Sequence, residues 1–131
     1  MPVPPEESIV RAIPTEKYDG ERVSPSLFEG SNTSVSRLAI VPLEDQWELL
    51  RRHVERPPQR LLALLGEINV GALGRVGRAY VPRPTALTVE PDPLPGFLSH
   101  AVIPQKIARG LATEIVRHLI QHQPSGRLGC P

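Results

Sequence analysis

A histidine close to an acidic turn is the feature of this sequence most suggestive of chemistry. His100 lies among apolar residues in a predicted strand, and Glu90 and Asp92 come shortly before it. Histidine gains and loses a proton near neutral pH, so at this position it can carry a proton or hydrogen-bond a ligand phosphate. The alternative is a structural histidine that hydrogen-bonds a backbone carbonyl, because local spacing fixes no second catalytic group.

Arginine and small hydroxyl side chains recur on two segments that are predicted to be strands. The first strand contains Arg11, and the second contains Ser34, Ser36 and Arg37. Arginine forks and hydroxyl groups together suit a phosphate or a carboxylate. If the two strands pair, we expect these side chains and His100 to form a ligand-binding site. Alternatively, the serines face solvent on an edge strand and the arginines are surface charges.

Two further patterns lack the residues that a metal ion or a nucleotide would need. His118 and His122 have the i,i+4 spacing that can clamp a metal, but no HExxH-like acid is nearby, and histidines near a helix C-terminus interact favourably with the helix dipole. The glycines of GALGRVG, residues 71–77, fit neither the G-x-G-x-x-G nor the Gly-Lys-Ser/Thr pattern. We therefore predict no metal and no cofactor.

The charge of the chain argues against nucleic acid as a partner. The net charge is +1 over 131 residues, so no overall field attracts a polyanion. A basic patch at Arg51, Arg52, Arg56 and Arg60 is diluted by glutamates and has no interleaved aromatic residues for base stacking.

Cysteine usage and hydropathy predict a soluble cytoplasmic protein. Cys130 is the only cysteine, which excludes an internal disulfide and a cysteine-based zinc site. No apolar run reaches the roughly 18 residues that a membrane helix needs. The first ten residues lack the basic and apolar regions of a secretion signal.

Apolar spacing predicts strands and helices along the whole chain. Ile107, Leu111, Ile115 and Leu119 recur at every fourth position and indicate one buried helical stripe. The predicted strands are residues 8–13, 33–41, 86–90 and 97–103, with a further strand and turn within 67–80. The predicted helices are residues 43–56, 105–122 and a short one at 60–65.

These elements predict a single α+β domain over residues 8–122. We expect a twisted, mostly antiparallel sheet with two or three helices packed on one face, the alternative being a parallel βαβ arrangement. Residues 1–7 are predicted to be an extended arm, and residues 123–131 a flexible tail.

The long loop of residues 15–32 is a candidate lid and partner surface. Loops of this length are uncommon inside a compact domain and are often functional. Its large apolar side chains are Tyr18, Leu27 and Phe28. We expect these three residues to contact a protein partner or a second copy of the chain.

Two parts of the sequence together resemble small, uncharacterised bacterial proteins. These parts are RAIP…RVSPSLFEGSNTSVSRLAI and LTVEPDPLPGFLSHAVIP…GLATEI, which supply an Arg-containing strand, a Ser-Val strand and a His-Ala-x-Ile pattern. The resemblance implies a bacterial origin and carries no established activity.

A more distant similarity is to ADP-ribosyltransferase-type folds, whose strands hold a nicotinamide dinucleotide. Arg11, Ser34 or Ser36, and Glu90 or His100 would be the matching positions. The chain departs from that pattern because only 4% of its residues are aromatic, too few for an aromatic-rich cleft.

Our first hypothesis is a non-catalytic binding or accessory module of a bacterial cytoplasmic system that acts through a protein partner. The alternative is a phosphate- or nucleotide-binding enzyme, ADP-ribosyltransferase-like, that uses Arg11, Ser36 and His100.

Overall fold

Six strands and three helices follow one another along residues 1–123, the part of the chain that the computed structural model describes. The strands are β1 (Ser8–Pro14), β2 (Thr33–Arg37), β3 (Leu62–Asn69), β4 (Glu90–Pro91), β5 (His100–Ile103) and β6 (Ile120–His122). The helices are α1 (Leu43–Val54), α2 (Val70–Ala79) and α3 (Arg109–Arg117). The predicted α+β class is confirmed.

All six strands belong to one antiparallel sheet with the order β4-β5-β2-β1-β3-β6. The parallel alternative is therefore wrong. β1 pairs with β3 along its whole length, but its ladder with β2 consists of two residue pairs, Ile9 with Arg37 and Val10 with Ser36. Past Val10 the strands β1 and β2 separate, while β2 continues to pair with β5.

Apolar side chains cover both faces of the sheet. Ile9, Ile13 and Ile68 belong to the cluster that includes α2 and α3, whereas Val10 and Leu65 belong to the cluster that includes α1. This division follows from the alternation of side chains along a strand. α2 and α3 thus share one face and α1 covers the other. The prediction that the helices at residues 43–56 and 105–122 pack on the same face is therefore wrong.

The predicted buried stripe of the last helix is confirmed. Ile107, Leu111 and Ile115 are buried, and Leu119 packs against the same cluster. Only Leu111 and Ile115 lie within α3, because the helix begins at Arg109 and not at the predicted residue 105. The helix itself ends at Arg117 rather than continuing to residue 122. The chain turns at His118, and β6 then pairs with β3.

Two predictions between residues 60 and 80 are wrong. Residues 60–65 belong mainly to β3, which reads as a continuous apolar run because it is buried on both faces. Residues 70–79 form α2 rather than a strand and turn. Asn69 caps this helix, its side chain accepting a hydrogen bond from the Ala72 amide at 3.0 Å.

Three predicted strands are shorter than expected, two of them because a turn replaces one end. β2 stops at Arg37, where the Ile40 amide donates to the Arg37 carbonyl at 3.2 Å. Phe97 lies in a turn before β5, its amide donating to the Leu94 carbonyl at 2.8 Å. Of the predicted strand at residues 86–90, only Glu90 belongs to β4.

The N-terminal arm and the long loop both pack on the domain. The Val3 amide donates to the Val89 carbonyl at 2.7 Å, and the Val3 side chain is buried. The loop contains two short 3-10 helices, Thr15–Lys17 and Pro25–Leu27, and the Gly30 amide donates to the Ile107 carbonyl at 2.9 Å. Except for Gln123, the predicted tail lies outside the described residues, as does Cys130.

Candidate functional site

A cleft of about 480 Å³ opens where β1 and β2 separate. β1, β2 and β5 each contribute to it, together with the C-terminal turn of α1, the two 3-10 helices and the segments that follow α1 and precede β5. Its polar and aromatic lining comprises Arg11, Lys17, Ser26, Ser34, His53, Arg56, Arg60, Phe97 and His100.

Arg11 occupies the gap between the two strands. Its Nη1 donates to the Ser34 carbonyl at 2.8 Å, and its Nε and Nη2 donate to the Leu27 carbonyl at 3.2 and 3.0 Å. A guanidinium has five N–H bonds, so these three contacts leave two of them. In the described part of the chain, no carboxylate forms an ion pair with Arg11.

Burial and a neighbouring charge both act on this arginine. Removal from water lowers the pKa of Arg11 to about 10, and the positive charge of Arg60 contributes in the same direction. The site therefore holds a cation in surroundings that disfavour positive charge. An anion placed beside it would relieve this cost.

Three more cationic side chains, those of Lys17, Arg56 and Arg60, line the cleft. Lys17 Nζ donates to Ser26 Oγ at 2.8 Å, and Arg56 Nη1 donates to the Glu55 carbonyl at 2.7 Å. Arg60 pairs with Glu16 at 3.1 Å, but both side chains are more than 40% exposed, so water screens this pair. The lining residues include no aspartate or glutamate.

His100 is 7% exposed and has both ring nitrogens in contact with polar atoms. Nδ1 lies 2.8 Å from the Asp92 carbonyl oxygen and 3.2 Å from the Asp92 carboxylate. Nε2 lies 3.1 Å from Ser34 Oγ, which belongs to an exposed residue. Both expectations for this residue are thus compatible with its contacts, since it binds a backbone carbonyl and also reaches a hydroxyl in the cleft.

An aromatic wall closes one side of the cleft. The Phe97 ring stacks on His53 with ring centroids 4.5 Å apart, and it meets His100 edge-on at 5.1 Å. His53 Nε2 lies 3.1 Å from the Gly96 carbonyl oxygen, which fixes the ring in place. The cleft therefore combines cationic groups with an apolar surface.

Of the five residues predicted to bind a ligand, the structure brings together Arg11, Ser34 and His100. By strand alternation, Arg11 and His100 start from opposite faces of the sheet, yet both reach the cleft because the gap beside β1 admits the guanidinium. Arg11 on β1 and His100 on β5 thus meet in one site, although these two strands are not paired with each other.

Ser36 and Arg37 lie outside the cleft. Ser36 is fully buried, and its Oγ lies 2.7 Å from Ser99 Oγ. Arg37 binds both carboxylate oxygens of Glu7, at 3.1 and 2.8 Å, and so fastens the N-terminal arm to β2. The local contacts of both residues are structural.

The three residues predicted to contact a partner are not equally accessible. Phe28 and Leu27 are buried in the core of the domain, with exposed fractions of 0% and 6%. Tyr18 is half-buried, and its hydroxyl donates to the Gly20 carbonyl at 2.8 Å. Partner contact by this loop stays a prediction, and Tyr18 is the only one of the three with an accessible ring.

Several residues of the cleft were not predicted as ligand-binding residues from the sequence. Arg56 and Arg60 stand out in the sequence only as part of a basic patch. Asp92, which contacts His100 from outside the lining, stands out only as part of an acidic turn. Lys17 and His53 carry no local signal, because the loop and α1 approach each other only in the folded domain.

The two C-terminal histidines each have a local partner. His118 Nδ1 lies 2.9 Å from the Glu114 carbonyl, and His122 Nε2 lies 2.7 Å from the Glu67 carboxylate. They lie on a helix end and a strand, respectively, so their sequence spacing does not place them on one helical face. Among residues 1–123, no cluster of three or more His, Cys, Asp or Glu side chains is arranged to hold a metal ion.

A larger groove lies between the long loop and α3. It has a volume of about 790 Å³ and is lined by acids and bases in equal measure, with Glu16, Asp19 and Glu21 facing Lys17, Arg22 and Arg117. This mixture selects no ligand charge, so the cleft at Arg11 is the better defined site.

No helix within the described residues is long and apolar enough to cross a bilayer. Comparisons with models of protein families, with curated protein sequences and with solved structures found no match. The two resemblances noted in the sequence therefore stay predictions, and the function has to be argued from the cleft.

Proposed function

We propose that this domain binds a small ligand with a phosphate or carboxylate group in the cleft at Arg11. The observation that carries the proposal is the guanidinium of Arg11, which is partly buried, retains two N–H bonds and has no acidic partner among the described residues. A buried charge is costly unless it is paired, so such a cation is a specific place for an anion.

The surroundings of Arg11 add to this preference. Lys17, Arg56 and Arg60 line the same cleft, and their charges sum with that of Arg11. A concave site lined by charges of one sign concentrates ions of the opposite sign. The chain as a whole carries only +1, so attraction of an anion is confined to this cleft.

The shape of the cleft limits the size of the ligand. A volume of about 480 Å³ falls within the range of sites for small molecules, roughly 300 to 1,000 Å³. The anionic group would lie among Arg11, Lys17 and Arg60, and an apolar body would lie on Phe97 and Leu94. A ligand with both parts should bind more tightly than a simple anion.

Calorimetric titration with inorganic phosphate and with pyrophosphate tests the proposal. We expect saturable binding to the wild-type protein that weakens about fivefold to tenfold in Arg11→Met and in Lys17→Met, the loss of one charge interaction of about 1 kcal/mol or slightly more. Lys17→Met decides the matter if Arg11→Met does not fold. Arg83→Met, which removes an exposed arginine outside the cleft, should bind like the wild type.

No saturable binding to the wild type, or equal weakening by Arg83→Met, would refute the proposal. Action through a protein partner remains a separate prediction. An ADP-ribosyltransferase-like enzyme also stays a prediction; of its three named residues, Arg11 and His100 line the cleft and Ser36 does not.

A further inference from the structure

We infer that Ser34 is a nucleophile activated by His100, and that the cleft hydrolyses carboxylic esters of small anionic acids. This inference rests on the proposed anion binding, which would hold the substrate, and adds a reaction to it. It is argued from the contacts among Ser34, Asp92 and His100, of which Ser34 lies far from the other two in the sequence.

The contacts of His100 fix which ring nitrogen carries the proton. The Asp92 carbonyl oxygen is only an acceptor, so in the neutral ring Nδ1 must carry the hydrogen that is donated across 2.8 Å. Nε2 then has a free lone pair. It accepts from the Ser34 hydroxyl at 3.1 Å, which is the arrangement a general base needs to take a proton from a nucleophile.

Asp92 acts as a positioning residue. Its amide also donates to the His100 carbonyl at 3.0 Å, so one main-chain bond and one bond from the His100 ring to the Asp92 carbonyl hold the two residues together. Its carboxylate lies 3.2 Å from Nδ1 and would stabilise the imidazolium that forms when His100 takes the proton. Nucleophile, base and orienting acid thus follow the order of a Ser-His-Asp triad.

Arg11 places positive charge next to the nucleophile. Its Nη1 donates to the carbonyl of Ser34 itself, and its two remaining N–H bonds belong to the same guanidinium. Donors beside the reacting serine can stabilise the oxyanion of a tetrahedral intermediate. Lys17 and Arg60 line the same cleft and would attract the carboxylate of the substrate acid.

The reaction balances with water as the only co-substrate. Ser34 Oγ forms a bond to the ester carbonyl carbon while His100 Nε2 takes the hydroxyl proton. Collapse of the tetrahedral intermediate breaks the ester C–O bond, and the leaving alkoxide takes that proton. Water then attacks the acyl-serine, with His100 again as base, and releases the acid and free Ser34.

Labelling with a fluorophosphonate tests the nucleophile without knowledge of the substrate. Ser34 Oγ would bond to phosphorus as fluoride leaves, and mass spectrometry should find a single adduct, on Ser34. Ser34→Ala should not react, and His100→Asn should react at least about a hundredfold more slowly. Ser31→Ala removes an exposed serine outside the cleft and should react like the wild type.

Ester turnover tests the substrate class. We expect hydrolysis of mono-4-nitrophenyl glutarate with a kcat/KM about fivefold to tenfold above that for 4-nitrophenyl butyrate, because only the glutarate ester carries a carboxylate. Asp92→Asn should lower kcat and leave KM unchanged, since it alters the base and not the binding of the anion.

The outcomes separate this inference from the proposed function. Wild-type protein that binds phosphate but is not labelled at Ser34 would overturn the inference and leave anion binding intact. Labelling at Ser34 without phosphate binding would refute the proposed anion binding and leave the assignment of Ser34 as a nucleophile intact. Equal labelling of the wild type and of a folded His100→Asn variant would also overturn the inference. If circular dichroism shows that His100→Asn is unfolded, Asp92→Asn replaces it as the test. An unchanged kcat in Asp92→Asn would then overturn the inference.

Discussion

The guanidinium of Arg11 lies 2.8 Å from the main-chain oxygen of Ser34, just beyond the last residue pair of the β1–β2 ladder. A side chain thus supplies a hydrogen bond where a neighbouring strand would ordinarily do so. The same side chain binds the Leu27 carbonyl, which ties the long loop to the sheet. The sheet, the loop and the cleft therefore meet at one cation.

The titration of Arg11 should make the free energy of unfolding change with pH in the alkaline range. Burial lowers the pKa of Arg11 to about 10, below its value in the unfolded chain. Between these two values the unfolded chain retains a proton that the folded protein has lost, so stability from this group rises with pH. From about pH 9 to about pH 11, we expect the difference in unfolding free energy between wild type and Arg11→Met to shift by about 1 kcal/mol in favour of wild type.

Urea unfolding of both proteins at the two pH values measures this shift, because other titrating groups cancel in the difference. Phosphate binding should weaken over the same interval as Arg11 loses its charge. A difference that stays constant or moves in favour of the variant would show that Arg11 is not buried as a cation.

Ser36 should matter for stability and not for the cleft. Ser36→Ala leaves the buried Ser99 hydroxyl without its partner at 2.7 Å, and we expect a loss of about 1 to 2 kcal/mol in chemical denaturation. Ser34→Ala should cost less than Ser36→Ala, because its position is exposed and water can replace the hydroxyl beside His100 Nε2.

The double variant Ser36→Ala/Ser99→Ala should lose less than the sum of the two single variants, since no hydroxyl is then left unpaired. Phosphate affinity should be the same in all these Ser36 variants. A large drop in affinity for Ser36→Ala would place this residue in the binding site after all.

Two glycines of α2 should respond in opposite ways to alanine. A Cβ on Gly77 would collide with the Thr85 carbonyl oxygen and come within 2.9 Å of Leu87 Cγ. We expect Gly77→Ala to destabilise the domain by about 1 to 3 kcal/mol despite the better helix propensity of alanine.

Gly74→Ala is the matched control. Its Cβ would come closest to the end of the exposed Arg78 side chain, at 3.1 Å, and this side chain can move aside. The Leu87 carbonyl oxygen, at 4.0 Å, would be in ordinary van der Waals contact. Thermal unfolding should show Gly74→Ala to be more stable than wild type by up to about 1 kcal/mol. Equal effects of the two substitutions would contradict the close packing of α2 on residues 85–87.

The sequence allowed the class of the fold to be predicted, because the strongest signals belong to elements with one clear apolar face. Leu111 and Ile115 repeat with helical spacing, and they are buried as expected. α2 escaped prediction because its glycines lower helix propensity, while the compensating contacts come from Asn69 and from residues 85–87, which only the folded chain brings close.

The site could be predicted in part. Arg11, Ser34 and His100 were identified by residue type, and the structure brings them together. Ser36 was equally plausible, because sequence alternation puts it on the same strand face as Ser34 and does not reveal which of the two is covered. Lys17 and Arg60 could not be linked to the site, since their approach depends on loop and turn conformations that no local pattern specifies.

The early end of the β1–β2 ladder also restricts what evolution or engineering can place at residue 11. Lysine would keep the positive charge but present it on one nitrogen, and it could not reproduce the planar fork that joins two carbonyl groups on separate segments. Methionine would fill the space but would lose both the positive charge and the hydrogen bonds to the two carbonyl groups. Because the architecture and the proposed ligand recognition both depend on this residue, a replacement that satisfies only one of them leaves the other requirement unmet.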